Sequence, residues 1–415
     1  MTQELTEQKC RLQNEMSDYL NERGNLALQW ATGVGKSRVA VNAVMDLFDQ
    51  YGEEFRVLIV VAEDAHKDNW REEFRKGLNP LVYDWIMPHV QIICYASLKN
   101  WRGTKWDLIV FDEAHHLQSD IRKDILQSLN SPRVLALSAT LKEDVLEALT
   151  RCFGRFKVSK ITLQDAIDKG FLPEPKIVCI PLELKRFDRT ETIEMDLRTA
   201  KFRDKGIIND LWSNRWKYLR NRKAYLGYVL RFACTQKEKY EYINEQFDYW
   251  KKQYFRNQGN IRLKNMWLQW GTRRKRFLGE LKTREAEELC IKLNEEGKRF
   301  ICFCSSITQA EFLGGENCIH SKKKGVREII STFNSGKTNS IFAVGMLQEG
   351  QNLTNIQAGI IVQLDGEERG FIQKFGRSLR ATDPVQYILY YRGTRDEEYL
   401  QKALEGIDKN YIQEI

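Results

Sequence analysis

The chain has 415 residues, of which 42% are hydrophobic and 29% charged, and a formal net charge of +8. That length leaves room for two or three domains with cores of their own, and the composition excludes wholesale disorder. No apolar run approaches the ~20 residues that cross a bilayer, and the opening MTQELTEQKC lacks the basic and apolar regions of a signal peptide, so the expected location is the cytoplasm.

Residues 25–185 alternate short apolar runs with amphipathic stretches. NLALQW, RVLIVVA, VQIICYA, DLIVFD and RVLALSA each read as a buried strand. Near-continuous apolar strands separated by helical segments predict a parallel sheet covered on both faces. From about 190 to 290 the texture changes to Lys, Arg, Tyr and Trp. KEKYEYINEQFDYWKKQYF, with aromatics three and four apart, reads as a long helix. From 296 to 395 the first grammar returns with RFICFC, SIFAVG, AGIIVQL and QYILYY. The predicted fold class is α/β: two parallel-sheet domains in tandem, at 1–185 and 291–415, with a basic, aromatic-rich helical insertion at 186–290.

Charge follows this division. Residues 201–290 hold 22 Lys and Arg against 10 Asp and Glu, a local +12 that leaves −4 for the rest. A basic segment of this kind suits a polyanion surface. It contains Trp212, Trp216, Trp250, Trp267 and Trp270, five of the ten tryptophans, together with the run Arg273, Arg274, Lys275 and Arg276. Aromatic and basic residues interleaved suit base stacking and phosphate tracking. The same aromatics would equally serve as the core of a helical subdomain.

The nine cysteines are scattered without a CxxC pair and read as reduced thiols. Alternation along RFICFC puts Cys302 and Cys304 on one strand face. The five histidines show no metal-ligand pattern, and the adjacent His115 and His116 are expected to point in different directions.

Two elements carry chemistry in the first domain. NLALQW runs into ATGVGKS and then an apolar helical stretch, the strand–loop–helix order of a phosphate-binding loop. Gly33 and Gly35, with Thr32, let backbone N–H groups turn towards phosphates at a helix N-terminus. Lys36 would neutralise the β- and γ-phosphates and Ser37 would ligate magnesium. Trp30 stands where the common formula has its first glycine. In DLIVFDEAHH, Asp112 and Glu113 emerge together at a strand end. The first is placed to hold magnesium and the second to polarise an attacking water. Downstream, FIQKFGRSLR sets Gln373, Arg377 and Arg380 on one helical face, with Ile372, Phe375 and Leu379 on another.

Through these motifs the sequence resembles the superfamily 2 helicases. Asp112 to His115 spells the DEAH form of their motif II, Ser138-Ala139-Thr140 their SAT motif, and ATGVGKS their motif I, whose first position is often not glycine. QxxGRxxR matches motif VI, and GMLQEGQNL, Gly345 to Leu353, is similar to motif V, with Asn352 where many members have aspartate. FCSSITQA corresponds to motif IV, ICYASL to a strand-contacting motif, and VLIVVAEDAHKDNWREEF to motif Ia, with Ala62-Glu63 in place of the usual Pro-Thr. The tail YRGTRDEEYL resembles small phage and bacterial members.

The resemblance implies two RecA-like domains with ATP and Mg2+ bound between them. It implies a nucleotide site that includes Gly350, arginine fingers at Arg377 and Arg380, and coupling through His115, Ser138 and Thr140. Ser97 and Ser305 are then expected to meet backbone phosphates. The motif style is closer to the restriction-enzyme and phage group than to RNA-specific members, which implies a DNA helicase or translocase. The alternatives are an RNA helicase and a nucleic-acid-binding module with a degenerate ATPase.

Overall fold

The computed structural model describes residues 3–118, 124–196, 229–345, 353–364 and 383–415. Both parallel sheets lie in one compact unit, Met1–Ile180 with Thr283–Tyr390 and Glu398–Ile415. A second unit comprises Pro181–Lys282 and Tyr391–Glu397.

Helix α1 (Gln3–Arg23) precedes the first sheet. Its strands are β1 (Leu26–Trp30), β2 (Val57–Val61), β3 (Val90–Cys94), β4 (Leu108–Phe111), β5 (Val134–Ser138) and β6 (Lys157–Ile161). They stand in the order β3-β2-β4-β5-β1-β6, every pair parallel. Strands β2, β4 and β5 are buried along their whole length, as sequences such as VLIVV and LIVF require once helices cover both faces. Two of these helices matter for the site. Helix α2 (Lys36–Tyr51) buries Val39, Ala40, Val41, Ala43, Val44 and Leu47, and α3 (Asp64–Gly77) buries His66, Trp70 and Phe74 at four-residue steps. Because β5 separates β1 from β4 and all three run parallel, the loops leaving them open on the same edge of the sheet. That carboxyl edge is where open α/β sheets bind ligands.

The second sheet has the order β11-β12-β10-β13-β14-β7-β15. It is built from β7 (Lys176–Leu182), β10 (Phe300–Phe303), β11 (Cys318–Ile319), β12 (Ser340–Ala343), β13 (Ala358–Ile361), β14 (Val385–Tyr391) and β15 (Ile412–Glu414). The two tandem parallel sheets are those expected. Strand β7 precedes the insertion in the chain yet belongs to the second sheet, where the chain's last strand, β15, pairs with it in parallel.

In the second unit, β8 (Glu191–Asp196) and β9 (Val229–Cys234) form an antiparallel pair, which adds a small sheet to the helices expected there. Helices α4 (Gln236–Arg256) and α5 (Ile261–Leu281) pack as a hairpin. A capping box between Thr235 and Glu238 starts α4. At the hairpin's base Leu184, Tyr240, Ile243, Phe277, Leu278 and Tyr391 form a core, and the Lys282 ammonium meets the Asp396 carboxylate at 2.6 Å, both fully buried. Farther out, Tyr254 stacks on Trp267 at 5.6 Å, with Phe247 and Phe255 against the same indole. Trp212 and Trp216 lie outside the described residues. No described helix is long and apolar enough to cross a membrane.

Candidate active site

The loop after β1 turns on two glycines in the left-handed region, Gly33 at φ 94° and Gly35 at φ 95°. An L side chain there is strained by ~1–2 kcal/mol. Space is tight as well: a Cβ on Gly33 would lie 3.0 Å from Leu172, and one on Gly35 would displace the Gln13 amide. Trp30, fully buried, anchors the strand end by donating its indole N–H to Ser159 Oγ at 3.0 Å. The place of the formula's first glycine is therefore a core position here. Thr32 is half-buried in the loop.

Two side chains that hold this loop are not apparent from the motifs. Lys9 Nζ donates to the Gly33 carbonyl at 3.0 Å, and Gln13 Nε2 donates to those of Val34 and Gly35 at 3.2 and 3.4 Å. Residues 9 and 13 share a face of α1 with the buried Met16 and Leu20, so the helical stripe was the available signal.

Lys36 opens α2 and donates to the Trp30 carbonyl at 2.9 Å. Burial holds its ammonium below the ordinary lysine range, against the opposing pull of Glu113 and Asp112. Asp112 follows β4. Its carboxyl is pushed up from 3.8 to about 6, first by burial and then by the neighbouring Glu113, while the Trp70 hydrogen bond, His66 and Lys36 pull it down. Trp70 Nε1 donates to Asp112 Oδ2 at 2.8 Å, and the Tyr95 hydroxyl donates to the Asp112 carbonyl at 2.9 Å.

Glu113 then takes φ 48°, one of two non-glycine residues in that region among those described. The turn carries the chain into a 3-10 segment, Ala114–Gln118, in which His115 is buried. His115 Nδ1 lies 3.3 Å from Glu113 Oε2 and 3.3 Å from Ser138 Oγ. The Ser138 hydroxyl donates to the Thr140 carbonyl at 2.8 Å and accepts the Thr140 N–H at 3.2 Å. His115 thus links Glu113 to Ser138. The expectation that His115 and His116 diverge is corrected: within the tight 3-10 turn their rings sit 4.5 Å apart, tilted by 36°.

The donor set fits magnesium. Ser37 supplies a hydroxyl in the first turn of α2, and Asp112 supplies a carboxyl whose charge is disfavoured by burial, a cost that a bound divalent cation offsets.

Other predicted residues are placed as follows. Ser97 and Ser305 follow the ends of β3 and β10, half-buried, with hydroxyls donating to the Cys94 carbonyl and to Gln309 Oε1, each at 2.9 Å. Within the basic run, Arg273 is exposed over the Trp270 ring, Lys275 is half-buried, and Arg276 pairs with Glu280 at 2.7 Å. Arg274 is buried between the helices, donates to Asn244 at 2.6 Å and lies over Phe247, so its charge faces inward. Cys302 and Cys304 share a strand face, their sulfurs 3.9 Å apart. Gly350, Gln373, Arg377 and Arg380 lie outside the described residues.

Comparison with known proteins agrees with this geometry. Residues 3–143 match the family described as "Type III restriction enzyme, res subunit", and residues 282–382 match "Helicase conserved C-terminal domain". The chain is 24% identical over 400 residues to "DNA 3'-5' translocase XPB2" of Sulfurisphaera tokodaii, covering 92% of this chain and 81% of that one. It is 23% identical to "Putative ATP-dependent RNA helicase MJ1505" of Methanocaldococcus jannaschii, over 72% of this chain and 44% of the relative. Among solved structures, the Pyrococcus furiosus Hef helicase domain superposes with a TM-score of 0.51 at 16% identity, over 95% of this chain and 98% of that one. A variant of S. cerevisiae Dbp5 bound to RNA and ADP BeF3 gives 0.54 at 11% identity, over 100% and 94%. At these identities the structural matches speak for the fold.

Proposed function

The chain belongs to the superfamily 2 helicases, a family of ATP-hydrolysing enzymes that act on nucleic acid, and on that premise we propose that it is a helicase or translocase acting on DNA. The observation that carries the reading is the convergence of three strand ends: Lys36 beyond β1, the Asp112-Glu113 pair beyond β4, and Ser138 of β5 joined to Glu113 through His115.

In this reading Lys36 neutralises the β- and γ-phosphates of ATP, and Ser37 and Asp112 hold Mg2+, which supplies charge neutralisation at the transferred phosphoryl group. Glu113 orients the attacking water. Gln373, Arg377 and Arg380 reach the γ-phosphate from the second domain, with Gly350 at the nucleotide, and arginine fingers of this kind raise turnover by ~10³–10⁵. Hydrolysis then requires the two domains to close, and nucleic acid held across both is moved by each closure. His115, Ser138 and Thr140 couple the nucleotide state to that grip. Ser97, Ser305, the exposed Arg273 and Arg276 and the half-buried Lys275 hold phosphates. The domain limits of the sequence reading, 1–185, 186–290 and 291–415, are kept as proposed except at β7 (Lys176–Leu182), which goes with the second sheet. DNA is favoured by the name of the relative that covers most of the chain, a DNA translocase; the RNA alternative is favoured by the second relative's name.

ATPase assays at fixed salt with single-stranded, duplex, forked and four-way DNA and with RNA test this. DNA is expected to stimulate turnover, and Lys36→Ala or Glu113→Gln to abolish it while leaving the fold intact. Stimulation by RNA alone would overturn the DNA assignment, and wild-type turnover in either variant would overturn the site.

A further inference from the structure

We propose that Trp70 is a positioning residue for Asp112: its indole N–H occupies one carboxylate oxygen and leaves the other presented to the cation. The inference rests on the reading of Asp112 as a magnesium ligand.

Helix α3 is a charged surface helix on its outer side, where Asp64–Lys67, Asp68–Arg71, Glu72–Arg75 and Glu73–Lys76 form i,i+3 pairs. Its buried side presents only His66, Trp70 and Phe74. Trp70 is 2% exposed, packs on Phe74 at 6.3 Å, and directs Nε1 to Asp112 Oδ2 at 2.8 Å. A buried tryptophan needs an acceptor, but packing alone does not dictate that the acceptor be this carboxylate.

The chemistry of the donor is specific. An indole N–H donates one hydrogen bond and accepts none, so it cannot itself ligate a cation or be displaced as a competing ligand. The carboxylate is fixed from the main chain as well. Asp112 N donates to the Val60 carbonyl at 2.9 Å, and the Tyr95 hydroxyl, from a ring stacked on Phe111, holds the Asp112 carbonyl. Backbone and side chain are pinned by separate groups from β2, α3 and the segment after β3. Outer-shell partners that orient a metal-binding carboxylate in this way typically alter metal affinity by about 10- to 100-fold when removed.

The test replaces Trp70 with β-(3-benzothienyl)alanine, which keeps the shape and removes the N–H. Binding of a fluorescent ADP analogue is titrated with Mg2+, so the readout is metal-dependent affinity without turnover. The apparent Mg2+ constant is expected to weaken by about 10-fold or more, while nucleotide affinity in EDTA stays at the wild-type value. An unchanged Mg2+ constant in the folded protein would overturn the proposal. Wild-type protein supplies a second measurement should the replacement fail to fold. The Trp70 indole N–H resonance, assigned by its loss in Trp70→Phe, is expected to move on adding Mg2+ to the ADP complex; no movement would likewise overturn the proposal. Asp112→Asn separates the two ideas. If it leaves the Mg2+ constant unchanged, the metal-ligand reading fails. If it weakens binding and the Trp70 replacement does not, only the positioning role fails.

Discussion

Asp112→Asn is expected to stabilise the nucleotide-free protein while abolishing turnover. The Asp112 carboxyl is raised from 3.8 to about 6, with burial the leading cause and Glu113 the second. Between those values the folded state binds more protons than the unfolded state, so stability falls as pH rises through that window. Taken to neutral pH the difference amounts to at most ~3 kcal/mol, at 1.36 kcal/mol per pH unit. Asparagine has the same shape, carries no charge, and still offers an oxygen to the Trp70 indole. The variant should therefore gain up to ~3 kcal/mol over wild type at pH 7.5 and almost nothing near pH ~2, below both values, where the wild-type carboxyl is protonated in both states. Urea unfolding in EDTA at several pH values measures this directly. A gain that does not change with pH, or a loss at pH 7.5, would refute the electrostatic account of the site.

Two further outcomes follow from the second unit. Lys282→Met leaves Asp396 buried beside an apolar side chain and should cost about 3–5 kcal/mol by chemical denaturation. Replacing both partners with apolar residues should recover most of that loss, and a double variant as unstable as the single one would refute it. Charge reversal at Arg273 and Arg276 should weaken nucleic-acid binding and flatten its salt dependence, whereas Arg274→Ala should chiefly lower the melting temperature, because Arg274 bonds Asn244 inside the hairpin; salt-titrated anisotropy and thermal melts separate the two.

What could be read from the sequence was what is local. The apolar runs became β1 to β5, β10 and β12 to β14, because a strand buried on both faces needs nothing but contiguous Val, Ile and Leu. Short or edge strands were not legible. Strand β6, KVSKI, alternates half-buried and exposed positions, β11 has two residues, and β15 has three. Strand β7 lay hidden for another reason: nothing in KIVCIPL says which of two sheets it joins, and its partner β15 is the end of the chain. The site divides in the same way. Lys36, Asp112 and Ser138 sit within recognisable motifs, but Gln13 and Trp70 reach the site across 22 and 42 positions of sequence, and no local pattern encodes an acceptor that distant.

Glu113 shows how local strain and distant contacts are joined. A left-handed non-glycine residue is uncommon and costs of order 1 kcal/mol, and such residues persist where the surroundings over-determine them. Here the residue before it is fixed through Val60, Trp70 and Tyr95, and His115, two residues after it, is fixed by Ser138. At this left-handed turn the Glu113 carboxylate and the His115 ring lie within 3.3 Å of each other. Glycine would adopt the turn without strain but has no carboxylate to orient a water. The strained glutamate thus supplies the carboxylate that the proposed chemistry requires, and the buried contacts on either side are what hold it there.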